Sequence, residues 1–445
     1  MILHAQGALL PDGWAKDVRI TVTEGRITDV TANTAPQGER HALVLPAPVN
    51  LHSHTFQRAM AGLTEARTAG QDSFWTWRTL MYRFLDHLTP DDVEAIAALA
   101  MIEMAEAGYA AVAEFHYLHH QPGGAPYDNP AELSARIAAA AADTGFGLTL
   151  LPVLYEQGGC DGRALAGGQL RFGCDLERFQ TLHAAARKAL ARPDDGTGVA
   201  PHSLRAVSRR SLAEIAQTSG PIHLHLAEQV AEVAEVQAAY GARPVEWALQ
   251  NLPIDQRWCM IHATQMQPDE TVRLAKTGAV AGLCPITEAN LGDGIFDGPG
   301  WQAAGGRLGV GTDSNVQISL TGELRLLEYS QRLGQKARAV MADAIRSTGR
   351  VLLDASLQGG AQAAGRRSGA IAPGQWADLM VPDTSDVEGL SGDTLLDAWI
   401  FASRERPVRE LWSAGRHIVA SGRHIARDRI EARYRSRLAA LKARA

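Results

Sequence analysis

The chain has 445 residues, 46% of them hydrophobic and 21% charged, a make-up that buries a sizeable core and excludes disordered, collagen-like and repeat architectures over most of the length. A formal net charge of −6 leaves no basic footprint for nucleic acid or anionic lipid. The four cysteines, Cys160, Cys174, Cys259 and Cys284, form no close pair, so neither a disulfide framework nor a cysteine-built zinc knuckle is expected, and a reducing cytoplasm is the default compartment.

The opening segment, MILHAQGALLPDGW, lacks the basic-then-apolar order of a signal peptide. The most apolar helical stretch, Ala95 to Ala113, is interrupted by Glu103 and Glu106, so no membrane span is expected. The first forty-odd residues read as short strands, Ile2–His4, Ala8–Leu10, Val18–Val22 and Arg26–Val30, turning at Glu24-Gly25. From Ala42 the pattern changes to eight short apolar runs: LVLPAPVNLH (43–52), AAVAEFHY (110–117), LTLLPVLY (148–155), GVAPHSL (198–204), PIHLHLAE (221–228), WCMIHA (258–263), AVAGLCP (279–285) and RLGVGTD (307–313). Helical stretches such as 90–108, 130–145, 178–191, 208–219, 229–239 and 269–276 separate them, several opening at Pro, Asp or Ser and closing at Gly.

Eight doubly buried parallel strands joined by helices predict an α/β fold, a closed (β/α)8 TIM barrel. An open doubly wound sheet would carry a GxGxxG turn after its first strand, and there is none. Further helices are expected at 322–333, 337–347 and 354–364. Strands and turns return in SGAIAPGQWADLMVPD (368–383) and WSAGRHIVASGRHI (412–425), and a basic amphipathic helix follows from Ala426. That helix reads as a solvated face countering acidic surface. The expected domains are a barrel over 47–367 and a small β-sandwich made from 1–46 and 368–445.

Barrel enzymes place reactive groups at the C-terminal ends of strands. The polar residues there are His52, His54, His116, Tyr117, His202, His225, Glu228, His262 and Asp313. Residues two apart on a strand share a face, so His52 and His54 can lean toward one cation. An isolated HxH is also common among buried, hydrogen-bonded histidines. Here His225, His262 and Asp313 fall at the ends of other strands, and the combined nitrogen and oxygen donors suit zinc, with iron or manganese as alternatives.

LHSH (51–54), HLAE (225–228), IHAT (261–264), GTDS (311–314) and the late IAPGQWADLMV (371–381) resemble the amidohydrolase superfamily over nearly the whole chain. The resemblance to its deaminase branch implies one Zn2+ per subunit held by His52, His54, His225 and Asp313. Within that branch VNLHSHTFQRAMAGLTE (49–65), FWTWR (74–78), EFHYLHH (114–120), VAPHSLRAV (199–207), HLHLAEQ (223–229) and ELRLLEY (323–329) are similar to enzymes that hydrolyse N-formimino-L-glutamate to N-formyl-L-glutamate and ammonia in histidine degradation. Thr55 departs from that pattern, where a small residue is usual. By the same resemblance Gln57, Tyr117 and His202 are substrate contacts.

The residues describe such a substrate on their own chemistry. Glu228, just after His225, is placed to donate a proton to the imino nitrogen; Asp313 can bind metal and accept a proton, and His262 can act as base or stabilise developing charge. Arg78 and Arg205, in loops expected after strands 1 and 4, offer guanidinium forks for two carboxylates. The expected partner is a small dicarboxylate, with no nucleic acid or membrane, and the expected assembly is a homodimer. His223 is expected in the core, and His116, His119 and His120 as a loop lining. Cys284 is expected to line the pocket, and Phe74, Trp75 and Trp77 to anchor a loop. The alternatives are a deaminase of a purine, pyrimidine or triazine ring, which two arginines disfavour, and a scaffold without activity.

Overall fold

In the computed structural model, which describes residues 1–63, 65, 74–403 and 408–444, the chain opens with β1 (Ile2–Leu10), β2 (Gly13–Thr23), β3 (Arg26–Thr31) and β4 (Glu39–Pro46). The apolar run 43–52 is two strands. Pro46 and Pro48 bracket a break, after which β5 (Val49–Ser53) leaves for another sheet, because proline cannot continue a ladder as a donor. The chain continues through α1 (Phe74–Leu85), α2 (Pro90–Ala107), β6 (Ala111–His116), α3 (Glu132–Thr144), β7 (Gly147–Leu154), α4 (Leu176–Lys188), β8 (Gly196–Thr197), β9 (Ala200–Pro201) and α5 (Arg209–Ile215). It then runs through β10 (Ile222–Leu226), α6 (Val230–Tyr240), α7 (Pro244–Asn251), β11 (Trp258–His262), α8 (Pro268–Ala275), β12 (Val280–Leu283), α9 (Pro285–Leu291), α10 (Gly298–Ala303) and β13 (Arg307–Val310). The last third holds α11 (Leu320–Gln335), α12 (Thr348–Ala363), β14 (Leu379–Pro382), α13 (Gly392–Phe401), β15 (Val408–Ser413), β16 (Arg416–Ala420), β17 (Arg423–His424) and α14 (Arg427–Arg444).

Local sequence sets these boundaries. At α2, Thr89 and Asp92 form a capping box with Pro90 in the first turn, and Gly108 closes the helix with φ +107°, a left-handed end that glycine adopts without penalty. The helix expected over 337–347 does not form. Glu328 accepts the N–H groups of Val340 and Met341 (2.8 and 2.9 Å), and Asp343 accepts those of Ile345 and Arg346. Side-chain acceptors thus take the amides a helix would need.

The barrel-type strands run in parallel as two sheets, β5-β6-β7-β8 with β9 on β7, and β10-β11-β12-β13. Isolated parallel bridges Ser53–Asp313, Val199–Ile222 and Ser203–His225 bring the outer edges of the two sheets together. Of the fourth expected strand, over 198–204, only β9 forms, with β8 just ahead of it. Leu51, Cys259, Ile261 and Val280 cluster in the interior, all fully buried. Both chain ends form one β-rich sheet in the order β17-β16-β15-β14-β4-β1-β2-β3, in which β14 pairs antiparallel with β4. Among the described residues no helix is long and apolar enough to cross a membrane.

The terminal helix is not merely solvated. Its arginines pair with acids of α2 and α3: Arg433 with Glu94 (3.0 Å), Arg437 with Asp92 (2.8 Å) and Arg429 with Asp143 (2.8 Å). A buried ionic knot joins barrel and sheet. Arg366, just beyond α12, bonds both oxygens of Asp378 (2.7 and 3.0 Å) and Asp194 (carbonyl 2.7 Å), and Arg416 closes on Asp194 at 2.6 Å. Removing one member of a buried network leaves uncompensated charge, so Arg366→Met is expected to lower stability by about 3–5 kcal/mol. Urea unfolding of the two proteins checks this; equal midpoints would deny the knot any structural role.

Candidate active site

The strand ends bring the expected residues together. His52 and His54 share a face of β5 and its extension, and segment 311–313 after β13 folds onto them. Both Thr312 and Asp313 donate their N–H to the His52 carbonyl (3.1 and 3.0 Å). Gly311 permits the approach, since a Cβ there would lie 2.6 Å from the His52 backbone. Asp313 Oδ1 then stands 3.2 Å from His54 Nε2 and 3.5 Å from His52 Nε2. From β10, His225 Nε2 comes within 3.2 Å of His52 Nε2. His262, at the end of β11, points Nε2 at Asp313 Oδ2 (3.8 Å) and Glu228 Oε1 (3.9 Å).

The backbone here is strained. His262, Asp313 and Asn315 have φ of +70°, +44° and +55°, a region few non-glycine residues occupy. Asn315 holds the turn in place: its amide donates to Ser53 Oγ, the His54 carbonyl and the Asp313 carbonyl at 3.0–3.1 Å.

The donor set fits a divalent cation. His54 Nδ1 bonds the Phe115 carbonyl (2.9 Å) and His225 Nδ1 the His202 carbonyl (3.0 Å), which puts the ring protons on Nδ1 and leaves Nε2 lone pairs facing inward. Burial, reinforced by the neighbouring imidazoles, holds His52 and His225 well below the usual histidine range, which favours neutral rings able to offer a lone pair to a cation. Ligand atoms of His52, His54 and His225 lie within 4.8 Å of one another, as do those of His52, His262 and Asp313. His262 is thus part of a second group of donors beside the three histidines.

Glu228 sits beside this cluster. Burial pushes its carboxyl up to about 7, with His262 pulling down and Glu232 and Asp313 pushing up. Its backbone is fixed by Glu232, which accepts its N–H (2.9 Å), and by Thr264, which donates to its carbonyl (2.8 Å). His262 is oriented by Glu288, whose Oε1 lies 3.2 Å from Nδ1 and also accepts the Cys284 N–H at 2.8 Å. Burial lowers His262, but Glu228, Glu288 and Asp313 outweigh it and hold the imidazole well above its usual range. Glu288, Glu232 and Asn315 carry no local motif; their only sequence signal is a polar residue in the first turn after a barrel strand.

One open-mouthed cavity is lined both by His54, His225, Glu228, His262 and Asp313 of this cluster and by Arg78, Arg205, Gln57, Tyr117 and His202. Every expected substrate contact therefore reaches the same space. Arg78 comes from α1 rather than a loop, and it donates to the hydroxyls of Tyr82 and Tyr155, the latter at 3.0 Å. Arg205 is buried, yet Glu232, Tyr155 and Glu228 keep it above the usual guanidinium range. Gln57 donates to Tyr117 Oη at 2.6 Å, and its own Oε1 is buried without a partner among the described residues.

His223 is buried in the core and bonds the Ala363 carbonyl (2.8 Å). His119 and His120 bond the carbonyls of Val153 and Gly173. Cys284 is fully buried at the start of α9 and does not line the cavity, because its backbone is drawn down to Glu288. Trp77 does line it, while the side chains of Phe74 and Trp75 lie outside the described residues.

The amidohydrolase family model matches residues 43–418, spanning both parallel sheets and the metal-type cluster. The chain belongs to the amidohydrolase family. Residues 1–42 match the model of the N-terminal domain of formimidoylglutamate deiminase. The chain is 47% identical over 436 residues to the formimidoylglutamate deiminase of Pseudomonas aeruginosa, covering 96% of each chain. It is 26% identical to the 8-oxoguanine deaminase of the same organism, covering 90% of this chain and 89% of that one. A crystal structure of an amidohydrolase from Brucella melitensis superposes with a TM-score of 0.96 at 47% identity, covering 99% of both chains. An adenosine deaminase from Xanthomonas campestris with bound zinc shares the fold at a TM-score of 0.83 and 21% identity, covering 99% of this chain and 98% of that one. The family fold is of the TIM-barrel type with a β-rich domain.

Proposed function

We propose that this amidohydrolase hydrolyses N-formimino-L-glutamate to N-formyl-L-glutamate and ammonia in histidine degradation. The observation that carries the reading is the meeting of two guanidinium groups, Arg78 and Arg205, with the histidine–carboxylate cluster in one cavity. The 47% identity to a formimidoylglutamate deiminase over almost the full length supports it. The catalytic unit is a closed (β/α)8 barrel over 47–367, and 1–46 with 368–445 form a small β-sandwich; the edge bridges and the core shared by Leu3, Ile20, Val44, Leu379 and Trp412 support this division.

One Zn2+ per subunit is the reading for the cofactor, held by His52, His54, His225 and Asp313. Bound there, the metal supplies Lewis-acid activation of water at neutral pH. The chain's own groups do the rest. A water oxygen adds to the formimino carbon, the bond to the terminal nitrogen breaks, and that nitrogen leaves as ammonia. Glu228, protonated below about neutral pH, delivers a proton from Oε1 to the departing nitrogen. Asp313 Oδ2 takes the proton from water and passes it to the same nitrogen, the hydroxyl proton of the adduct returns to Glu228 as the carbonyl forms, and His262, kept protonated by its acidic neighbours and 3.8 Å from Asp313 Oδ2, stabilises the developing charge. Arg78 and Arg205 hold the carboxylates, and Trp77, Met81 and Phe172 line the cavity and limit water.

The test is ammonia release by the zinc-loaded protein from N-formimino-L-glutamate, with guanine and cytosine as comparators; release from the rings alone would replace this reading with a ring deaminase. Substrate class is checked through charge. Losing a charge-assisted contact in a largely desolvated site costs about 2–3 kcal/mol, so Arg78→Met should lose roughly 30- to 150-fold in kcat/KM. Zinc content should stay the same, and a neutral formamidine should be affected much less. Equal losses on both compounds would make Arg78 a structural residue.

A further inference from the structure

Resting on that function, we infer that the Tyr155 hydroxyl is a substrate-binding donor that contacts the carboxylate held by Arg78. The argument is a count of lone pairs and protons. Tyr155 Oη receives a hydrogen bond from Arg78 Nη2 at 3.0 Å and another from Gln169 Nε2 at 3.2 Å. The Gln169 amide is not free to be flipped, since its Oε1 accepts the Ala166 N–H at 3.1 Å. Guanidinium and amide nitrogens can only donate, so both Tyr155 lone pairs are engaged and its single proton remains. Among the described residues it donates to none.

The ring of Tyr155 is itself fixed. It is 2% exposed, packs edge-on against His202 with centroids 4.6 Å apart, and lies beside Phe172 at 5.7 Å. Tyr155 nevertheless lines the cavity together with Arg78 and Arg205. A phenol that is compelled to donate, next to a guanidinium and turned to a cavity, is a site for an acceptor-only group. A carboxylate is such a group, and an amide nitrogen or ammonium is rejected there because it brings only protons. Tyr155 thus adds selectivity that two arginines alone lack, since their charge would also accept other anions.

Tyr155 also positions Arg78, so the experiment must separate direct contact from support. Arg78→Met, Tyr155→Phe and the double variant, each zinc-loaded, are compared by kcat/KM for N-formimino-L-glutamate and by calorimetric binding of glutarate. Phenylalanine keeps the packing against His202 and Phe172. In the Arg78→Met background, Tyr155→Phe should still weaken glutarate binding and raise KM by about 10-fold, with kcat changed little. No further loss in that background overturns the inference, because Tyr155 would then act only through Arg78. If the parent protein binds glutarate but releases no ammonia from N-formimino-L-glutamate, the proposed function fails while the glutarate comparison still decides the role of Tyr155. If it turns the substrate over and Tyr155→Phe changes neither readout, the function stands and the inference falls.

Discussion

Glu228→Gln should retain its metal and lose on the order of 10²–10⁴-fold in kcat, the usual worth of a positioned proton donor. The substitution is nearly isosteric, and the loop that carries it is held by backbone bonds to Glu232 and Thr264, so geometry should survive. What disappears is a proton. Because burial raises the Glu228 carboxyl to about 7, the protonated form dominates below that pH and is lost above it. The parent kcat should therefore fall on the alkaline side of neutrality, and the glutamine variant should show a flatter limb. Metal analysis beside a pH–rate profile reads both effects. A variant without metal would mean that Glu228 is a ligand.

The second expected result is joint loss of metal and activity in His52→Ala, His54→Ala and His225→Ala. Changing a residue that merely orients a metal ligand commonly costs 10- to 100-fold in affinity, so deleting the ligand itself should cost more than about 100-fold. His54 and His225 each give Nδ1 to a backbone carbonyl, so neither of these two rings can be flipped to offer that nitrogen instead. His52 lies between them, 3.2 Å from His225 Nε2 and 3.5 Å from Asp313. Elemental analysis after dialysis gives the occupancy. Full occupancy in all three variants would sink the ligand assignment.

Much of this site can be read in the chain because its residues sit at a fixed offset from apolar runs. His52, His225, His262 and Asp313 each end or closely follow a strand, and alternation alone puts His54 beside His52. Arg78 is legible as a residue type but not as a helix residue, since nothing in FWTWR distinguishes a rim loop from the start of α1. Glu288 and Asn315 also reach His262 and the Ser53–His54 segment, far away in sequence, and no local pattern announces those contacts. The missing helix at 337–347 has the same origin: its amides bond the side chains of Glu328 and Asp343, and a periodicity reading does not see acceptors. The split of 43–52 was written in the chain, as two prolines within three residues, but the continuous apolar content around them hides the change of sheet.

The pairing of β4 with β14 makes the order of synthesis matter. The second strand leaves the ribosome about 330 residues after the first, which at 5–20 residues per second is a wait on the order of 15–70 s. During that interval Val44 and Leu45, fully buried in the finished protein, border an uncovered strand edge immediately ahead of the segment bearing His52 and His54. Such an edge is a template for pairing with another nascent chain. The barrel's first strand is thus tethered to a sheet that only the end of translation can complete, and a chain cut short before residue 379 would carry that edge permanently.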